Sequence, residues 1–485
     1  MNVIKIDPER QLAPLDRNVF GGFAEHLGRC IYGGIYDEGS PLSDANGLRL
    51  DALEALRRLN MPIMRYPGGN FVSGYRWMDG IGPRDERPAR AELAWRTVES
   101  NRFGTDDFVD FCRALNTEPY MVVNCGDGSL REARDWVEYC NGTTETALVK
   151  MRRANGHEAP HNVKYWGIGN EVDGPWQMGM KTPTEYARAV TEFGKLMKMV
   201  DPSISIVAAW TSGWFEDWVE RGQLLIEQAG NLIDYMAIHW YVGNREDDYY
   251  RYMSLSELLE ERLGAAEGML AALQTCYKPS KPIRLAVDEW NVWYRTRGDQ
   301  QLEEVYNLED ALVVALQLNA FIRHARSVKM ANLAQIVNVI APIVTRPDGL
   351  LLQSIYYPFQ LYSEHAGAVA LDVAWEGDTF EGGDHTGLRV LDVSATLAGD
   401  GESIAVFVVN RSLDTPAETR IRLQEGAFTG KATATVVNGD GTKAVNTFDE
   451  PNRVGVKTLN LTPDTREITL ALEPHSVTVV KLGIR

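Results

Sequence analysis

The stretch Val163–Glu171, V-K-Y-W-G-I-G-N-E, decides the fold. It is a short apolar run, rich in β-branched and aromatic residues, that breaks at Gly167 and Gly169 and ends in an Asn-Glu pair. That pattern reads as a buried strand delivering a carboxylate to a loop edge. A second stretch, Ile283–Tyr294 (I-R-L-A-V-D-E-W-N-V-W-Y), repeats the design and carries Glu289. Two strands that each set one Glu at an aromatic-rich rim point to two-carboxylate chemistry.

Outward from these two strands the chain alternates. Short apolar runs at Val19–Ala24, Pro62–Tyr66, Pro119–Asn124, Ile204–Trp210, Tyr235–Trp240 and Lys329–Val339 read as strands. Helical patterns stand between them at Leu48–Leu59, Asp106–Leu115, Ser129–Cys140, Thr184–Met199, Asp217–Ala229, Leu255–Thr275, Leu308–Ala325 and Ser354–Glu364. Thr105 is a candidate cap for the second helix and Thr182 or Thr184 for the fourth. Alternating strands and helices imply parallel pairing, since each helix is the crossover. Eight such units predict an α/β fold, a (β/α)8 TIM barrel over residues 15–367, with a doubly wound open sheet as the alternative.

From about Ala368 helical periodicity stops. Alternating runs follow at Leu388–Ala395, Ser403–Val409, Thr419–Leu423, Ala432–Val437, Glu467–Leu472 and Ser476–Leu482, with turn signals such as Asn438-Gly439-Asp440-Gly441 between them. This predicts a C-terminal all-β sandwich, jelly-roll-like, over residues 368–485. Residues 1–14 hold a stray strand, Asn2–Asp7, expected to pair into it.

The 485-residue chain has a formal net charge of −18, which argues against a nucleic-acid partner because a phosphate backbone needs a basic face. No apolar run approaches the ~18 residues of a membrane span, and the N-terminus lacks a signal-peptide pattern. Cys30, Cys112, Cys125, Cys140 and Cys276 are scattered, with no C-x-x-C, and read as free thiols of a cytoplasmic protein. No H-E-x-x-H or other metal spacing occurs. Neither a metal nor a cofactor is expected. G-I-G-N-E-V begins like a dinucleotide fingerprint but carries Val172 where the third glycine belongs.

In a barrel of this kind chemistry sits at the C-terminal strand ends. Polar and aromatic residues gather at those ends: Glu25 and His26, Asn70, Asn124, Asn170 and Glu171, Trp210, His239 with Trp240 and Tyr241, Glu289, and Gln335. Strands four and seven stand across the mouth from each other, so Glu171 and Glu289 can face one glycosidic bond. Asp288 beside Glu289 leaves the choice of nucleophile open, and strand alternation favours only one of the pair pointing inward. Aromatic walls around an acid raise its pKa. Trp166, Trp176, Trp290 and Trp293 could supply such walls and stack on sugar faces.

Long motifs in fixed order carry a resemblance: F-G-G-F-A-E-H-L-G-R (20–29), M-R-Y-P-G-G-N-F-V-S-G-Y (64–75), W-R-T-V-E-S-N-R-F-G (95–104), W-G-I-G-N-E (166–171), A-I-H-W-Y (237–241), D-E-W-N-V-W-Y (288–294) and A-Q-I-V-N-V-I-A-P-I (334–343). Across the whole barrel the chain resembles glycoside hydrolase family 51, the α-L-arabinofuranosidases of clan A. The resemblance implies a retaining exo-glycosidase that removes terminal α-L-arabinofuranosyl residues from arabinoxylan, arabinan and derived oligosaccharides by double displacement. It implies Glu171 as general acid/base and Glu289 as nucleophile. Glu25, Asn70, Asn170, Tyr241 and Gln335 would bond the sugar, with Trp95 and Trp293 lining the entrance. His239, at the sixth strand exit, joins the substrate-binding candidates. The family further implies a homo-oligomer, commonly a hexamer, and no metal. The segment Arg295–Glu304 is short beside the loops of some members, which bears on subsites beyond the first. The alternatives are a β-xylosidase or an endo-glucanase on the same two-Glu barrel, or a non-catalytic carbohydrate-binding protein.

Overall fold

The computed structural model describes residues 1–296 and 302–485, so the segment Arg295–Glu304 lies partly outside the described residues. Eight strands close into a barrel in chain order: β1 (Gly21–Phe23), β2 (Ile63–Tyr66), β3 (Glu118–Val123), β4 (Tyr165–Ile168), β5 (Ser205–Thr211), β6 (Tyr235–Val242), β7 (Arg284–Val292) and β8 (Val328–Ala334). Every pairing is parallel, and Asn332–Ala334 opposite Gly21–Phe23 close the ring. The strands are buried on both faces, which is why they read as continuous apolar runs. Ile63, Tyr120, Val122, Tyr165, Val207, Tyr235, Ala286 and Met330 fill the lumen. The expected (β/α)8 barrel is the observed one.

The helices are α1 (Leu50–Leu59), α2 (Thr105–Leu115), α3 (Leu130–Asn141), α4 (Ala147–Ala154), α5 (Pro183–Val200), α6 (Trp218–Ala229), α7 (Tyr249–Tyr277), α8 (Leu308–Arg323) and α9 (Tyr356–His365). Capping boxes open α3 (Ser129 with Glu132), α5 (Thr182 with Glu185, Pro183 leading) and α8 (Asn307 with Asp310). Thr105 is the first helical residue of α2 rather than its cap. Asp107 accepts from the Gly104 N–H at 3.0 Å, which leaves the Thr105 hydroxyl to accept from Trp136 Nε1 at 3.1 Å. The short helix α4 and the hairpin Arg90–Glu92/Thr97–Glu99 were not legible as elements in the sequence.

The strand limits depart from those expected, and at three strands the departure moves site residues. β6 runs on to Val242, so Tyr241 lies inside it, and β7 spans Arg284–Val292, which sets Glu289 within the strand rather than at its exit. β8 ends at Ala334, and the chain leaves the sheet at Gln335. The seventh strand also carries one extra residue. Ala237 and His239 of β6 face Ala286 and Glu289 of β7, and Ala331 and Leu333 of β8 face Val287 and Trp290. Both neighbours therefore see a bulge at Asp288-Glu289. A bulge turns two consecutive side chains toward one side, so the expectation that only one of this pair points inward fails.

The C-terminal region is two larger β-sheets and a small hairpin, Thr379–Gly382 with His385–Arg389. A four-stranded sheet orders Ala374–Glu376, Asn2–Ile6, Ala417–Leu423 and Glu467–Leu472. A seven-stranded sheet orders Gln11–Pro14, Val369–Leu371, Leu391–Leu397, Ser403–Asn410, Ser476–Ile484, Phe428–Gly439 and Val454–Leu461. Gln11–Pro14, Val369–Leu371, Ala374–Glu376 and Val454–Leu461 were not expected. Val454–Leu461 is a mostly exposed edge strand carrying Lys457, and its apolar residues Val454 and Val456, then Leu459 and Leu461, change parity midway, so no single alternation runs its length. Helix α8 sits between barrel and sheets. It packs on α7 and α9 and against Leu391–Leu397, and it is buried nearly all round except at its last residue. A helix covered on every side is apolar on every side.

Candidate active site

Glu171 stands where β4 exits. Gly169 turns the chain with φ +72°, a conformation that costs glycine little. Glu171 itself is held at φ 43°. A non-glycine residue there stores roughly 1 kcal/mol or more of strain, which the surroundings must offset. Glu289 stands on the β7 bulge. Glu171, Glu289 and His239 each bring a polar atom into a group spanning at most 4.8 Å.

Beneath the two glutamates lies a buried ionic floor. Arg65, inward-facing on β2, donates to Glu289 Oε2 at 2.8 Å and to Asn170 Oδ1 at 2.6 Å, and its Nε lies 3.4 Å from Asp288 Oδ2. The Phe23 ring backs the guanidinium at 4.4 Å. Tyr120 donates its hydroxyl to Asp288 Oδ2 at 2.8 Å. His239 sets Nδ1 2.9 Å from Glu171 Oε1 and Nε2 3.3 Å from Asp288 Oδ1. Burial works against a charged His239, but the Glu289, Asp288 and Glu171 carboxylates outweigh it and hold the imidazole well above its ordinary pKa. With a carboxylate at each ring nitrogen, the imidazolium can donate on both sides. Burial likewise opposes ionisation of Asp288, yet Arg65, His239 and Tyr120 keep its pKa below the usual carboxylate range.

Above the floor opens a cavity of about 430 Å³. Glu25, Asn70, Glu171, Tyr241, Glu289 and Gln335 line its polar side; Trp95, Trp176 and Trp293, with Leu27, Leu302 and Ile340, form its apolar wall. Tyr241 donates to Glu289 Oε1 at 2.9 Å, so both oxygens of Glu289 are held. Glu25 accepts from Trp95 Nε1 at 3.0 Å, the Phe71 N–H at 3.2 Å and Gln335 Nε2 at 2.8 Å. Burial first, and the charge of Glu289 second, push its carboxyl up to about 8.

The structure brings Glu25, Asn70, Trp95, Glu171, Tyr241, Glu289, Trp293 and Gln335 onto one cavity wall. Asn170 is wholly buried just behind it, and His239 lies under the carboxylates. Other rim residues serve the scaffold. His26 is bonded to Glu99 and Tyr66, both at 2.8 Å, and stacks on Phe71. Asn124 accepts from the Gly126 and Gly128 N–H groups. Trp166 and Trp290 do not reach the cavity, because they face the helix layer against Trp136 and Phe321. Arg65 is the residue the sequence reading missed. Its signal was present, since a charge inside the apolar run I-M-R-Y demands a buried partner.

Two carboxylates at the mouth of a (β/α)8 barrel, their oxygens within reach of one carbon and flanked by aromatic walls, define a glycoside hydrolase site. Residues 55–257 match the α-L-arabinofuranosidase 1 domain, and residues 288–476 the α-L-arabinofuranosidase C-terminal domain. A probable α-L-arabinofuranosidase C of Aspergillus fumigatus is 42% identical over 469 residues, covering 91% of this chain and 90% of the relative. An intracellular exo-α-(1→5)-L-arabinofuranosidase of Halalkalibacterium halodurans is 40% identical over 422 residues, covering 84% of each. The crystal structure of the Thermotoga maritima α-L-arabinofuranosidase arabinose complex superposes with a TM-score of 0.94, at 40% identity over 100% of both chains. The chain belongs to the α-L-arabinofuranosidases of glycoside hydrolase family 51.

Proposed function

We propose that this site hydrolyses terminal α-L-arabinofuranosyl bonds of arabinoxylan, arabinan and derived oligosaccharides with retention, by double displacement. The observation that carries the reading is the placement of Glu171, past the β4 exit, together with Glu289, on the β7 bulge. It suits the ~5–5.5 Å carboxyl spacing of retaining enzymes rather than the wider gap that admits a water. Glu289, held by Arg65 and Tyr241, is the nucleophile that attacks the anomeric carbon. Glu171 gives a proton to the leaving oxygen and then takes one from the water that releases the sugar. Glu25, Asn70, Asn170, Tyr241 and Gln335 bond the sugar, and Trp95 and Trp293 flank the entrance. His239 acts through the carboxylates it touches.

Proton NMR of the first-formed product from an aryl arabinofuranoside tests the stereochemistry, and an inverted anomer would refute retention. Glu171→Ala is expected to lose about 10²–10⁴-fold on substrates with poor leaving groups, and far less on a dinitrophenyl arabinofuranoside that needs little acid. Glu289→Ala loses nearly all activity on both.

The names of the fungal and bacterial relatives support the sugar assignment. A cytoplasmic location is supported by the relative described as intracellular and by five unpaired cysteines. Among the described residues no helix is long and apolar enough to cross a membrane. A homo-oligomer, with the hexamer as the family's common form, completes the proposal.

A further inference from the structure

Neither carboxylate oxygen of Glu171 is free. Oε1 faces His239 Nδ1 at 2.9 Å, and Oε2 accepts from the Trp176 indole N–H at 2.6 Å. His239 is buried and fixed from behind by Asp288, so it stays. Trp176 is different: it is 53% exposed, at the tip of the segment following β4. That segment is tied on either side of it. Asp173 accepts from the Ser212 N–H and hydroxyl, both at 2.8 Å, and Gln177 bonds Ser73. Only Gly174-Pro175-Trp176 lies between the ties. The indole reaches Glu171 by folding flat onto Gly174, where an added Cβ would stand 2.5 Å from its ring. The position therefore needs glycine for this pose alone, and no left-handed φ is involved.

We propose that Trp176 is a positioning residue that caps Glu171 in the empty site and is displaced by the leaving group during the first chemical step. The proposal rests on Glu171 being the acid/base. In that step the Glu171 O–H proton passes to the leaving oxygen as its bond to the anomeric carbon breaks and Glu289 bonds that carbon. An indole N–H donor on the same carboxyl opposes its carrying a proton, so the indole must swing out as the leaving group enters. Once the leaving group has gone, the indole returns and favours the ionised carboxylate, the form that takes a proton from water while the water oxygen displaces Glu289.

The test is the pH profile of kcat/KM on 4-nitrophenyl α-L-arabinofuranoside for the parent, Trp176→Phe, Gly174→Ala and Glu171→Ala. The charged groups around Glu171 are His239 from β6 and Glu289 from β7. Glu289 is itself held by Arg65 and Tyr241, and Glu25 titrates in the same cavity. None is altered by the first two substitutions. The Glu171 component of the basic limb is the part that Glu171→Ala removes. We expect it to move to higher pH by about half a unit to one unit in both Trp176→Phe and Gly174→Ala, since each takes an N–H donor from the ionised carboxylate. Gly174→Ala does so with the indole still present, which separates the cap from simple loss of an aromatic wall. If that component stays in place in either variant, the proposal is overturned. If Glu171→Ala leaves the basic limb whole, the acid assignment of Glu171 fails instead.

Discussion

Glu25 shows how burial sets chemistry one residue at a time. Three donors point at its carboxyl, yet removal from water and the neighbouring Glu289 charge raise it to about 8, so near pH 7 the protonated form prevails. That keeps a second negative charge away from Glu289 and offers the sugar an O–H. Glu25→Gln, neutral and nearly the same shape, is expected to keep kcat/KM at pH 7 within about tenfold, whereas Glu25→Ala loses about a hundredfold. Steady-state kinetics on an aryl arabinofuranoside checks the pair. Single residues were legible in the sequence where a motif or a strand end marked them, as with Glu171 and Glu289. Asp288 was ambiguous because strand alternation cannot foresee a bulge. Arg65 was overlooked because one cation inside four apolar-looking positions does not disturb the pattern that calls a strand.

At the scale of elements, α7 and α8 are joined by charge as well as by packing. His324, just past the end of α8, sets Nε2 2.8 Å from Glu260 and Nδ1 2.9 Å from Glu267, both on α7, while Arg323 bridges Glu260 to Asp392 of the sandwich. Burial opposes the charged ring, but the two carboxylates win and raise it from 6.5 to about 9. Its folded value lies above its unfolded one. The stability it contributes is therefore complete below pH 6.5 and is lost as pH rises through about 9. The loss is on the order of 3 kcal/mol. His324→Asn should flatten this fall, as urea unfolding midpoints across that window will show. The eight strand-and-helix units were legible because glycines, prolines and caps punctuate them. The hairpin that carries Trp95 was not, since three-residue strands have no period to detect and its form depends on Glu92 accepting from the Ala94 and Trp95 N–H groups.

Over the whole molecule, barrel and sheets share α8, and the N-terminus belongs to the far end of the chain. The covered helix leaves neither part with a finished surface of its own, so a single calorimetric transition is expected. Ile4, wholly buried in the middle of the four-stranded sheet, sits far from the site. Ile4→Ala is expected to cost about 2–5 kcal/mol, lowering that one transition without splitting it and leaving kcat unchanged; two resolved transitions would refute the coupling. Asn2–Ile6 pairs in parallel with Ala417–Leu423, joining two segments that lie far apart in the sequence. At roughly 5–20 residues per second a ribosome takes on the order of 20–80 s to connect them. During that time the opening strand waits without its neighbour while the barrel strands emerge and close. Its five residues, with Lys5 inside and Asp7-Pro8 behind, make a poor template for a stranger's strand. Its brevity is what lets it idle safely until Ala417–Leu423 has emerged.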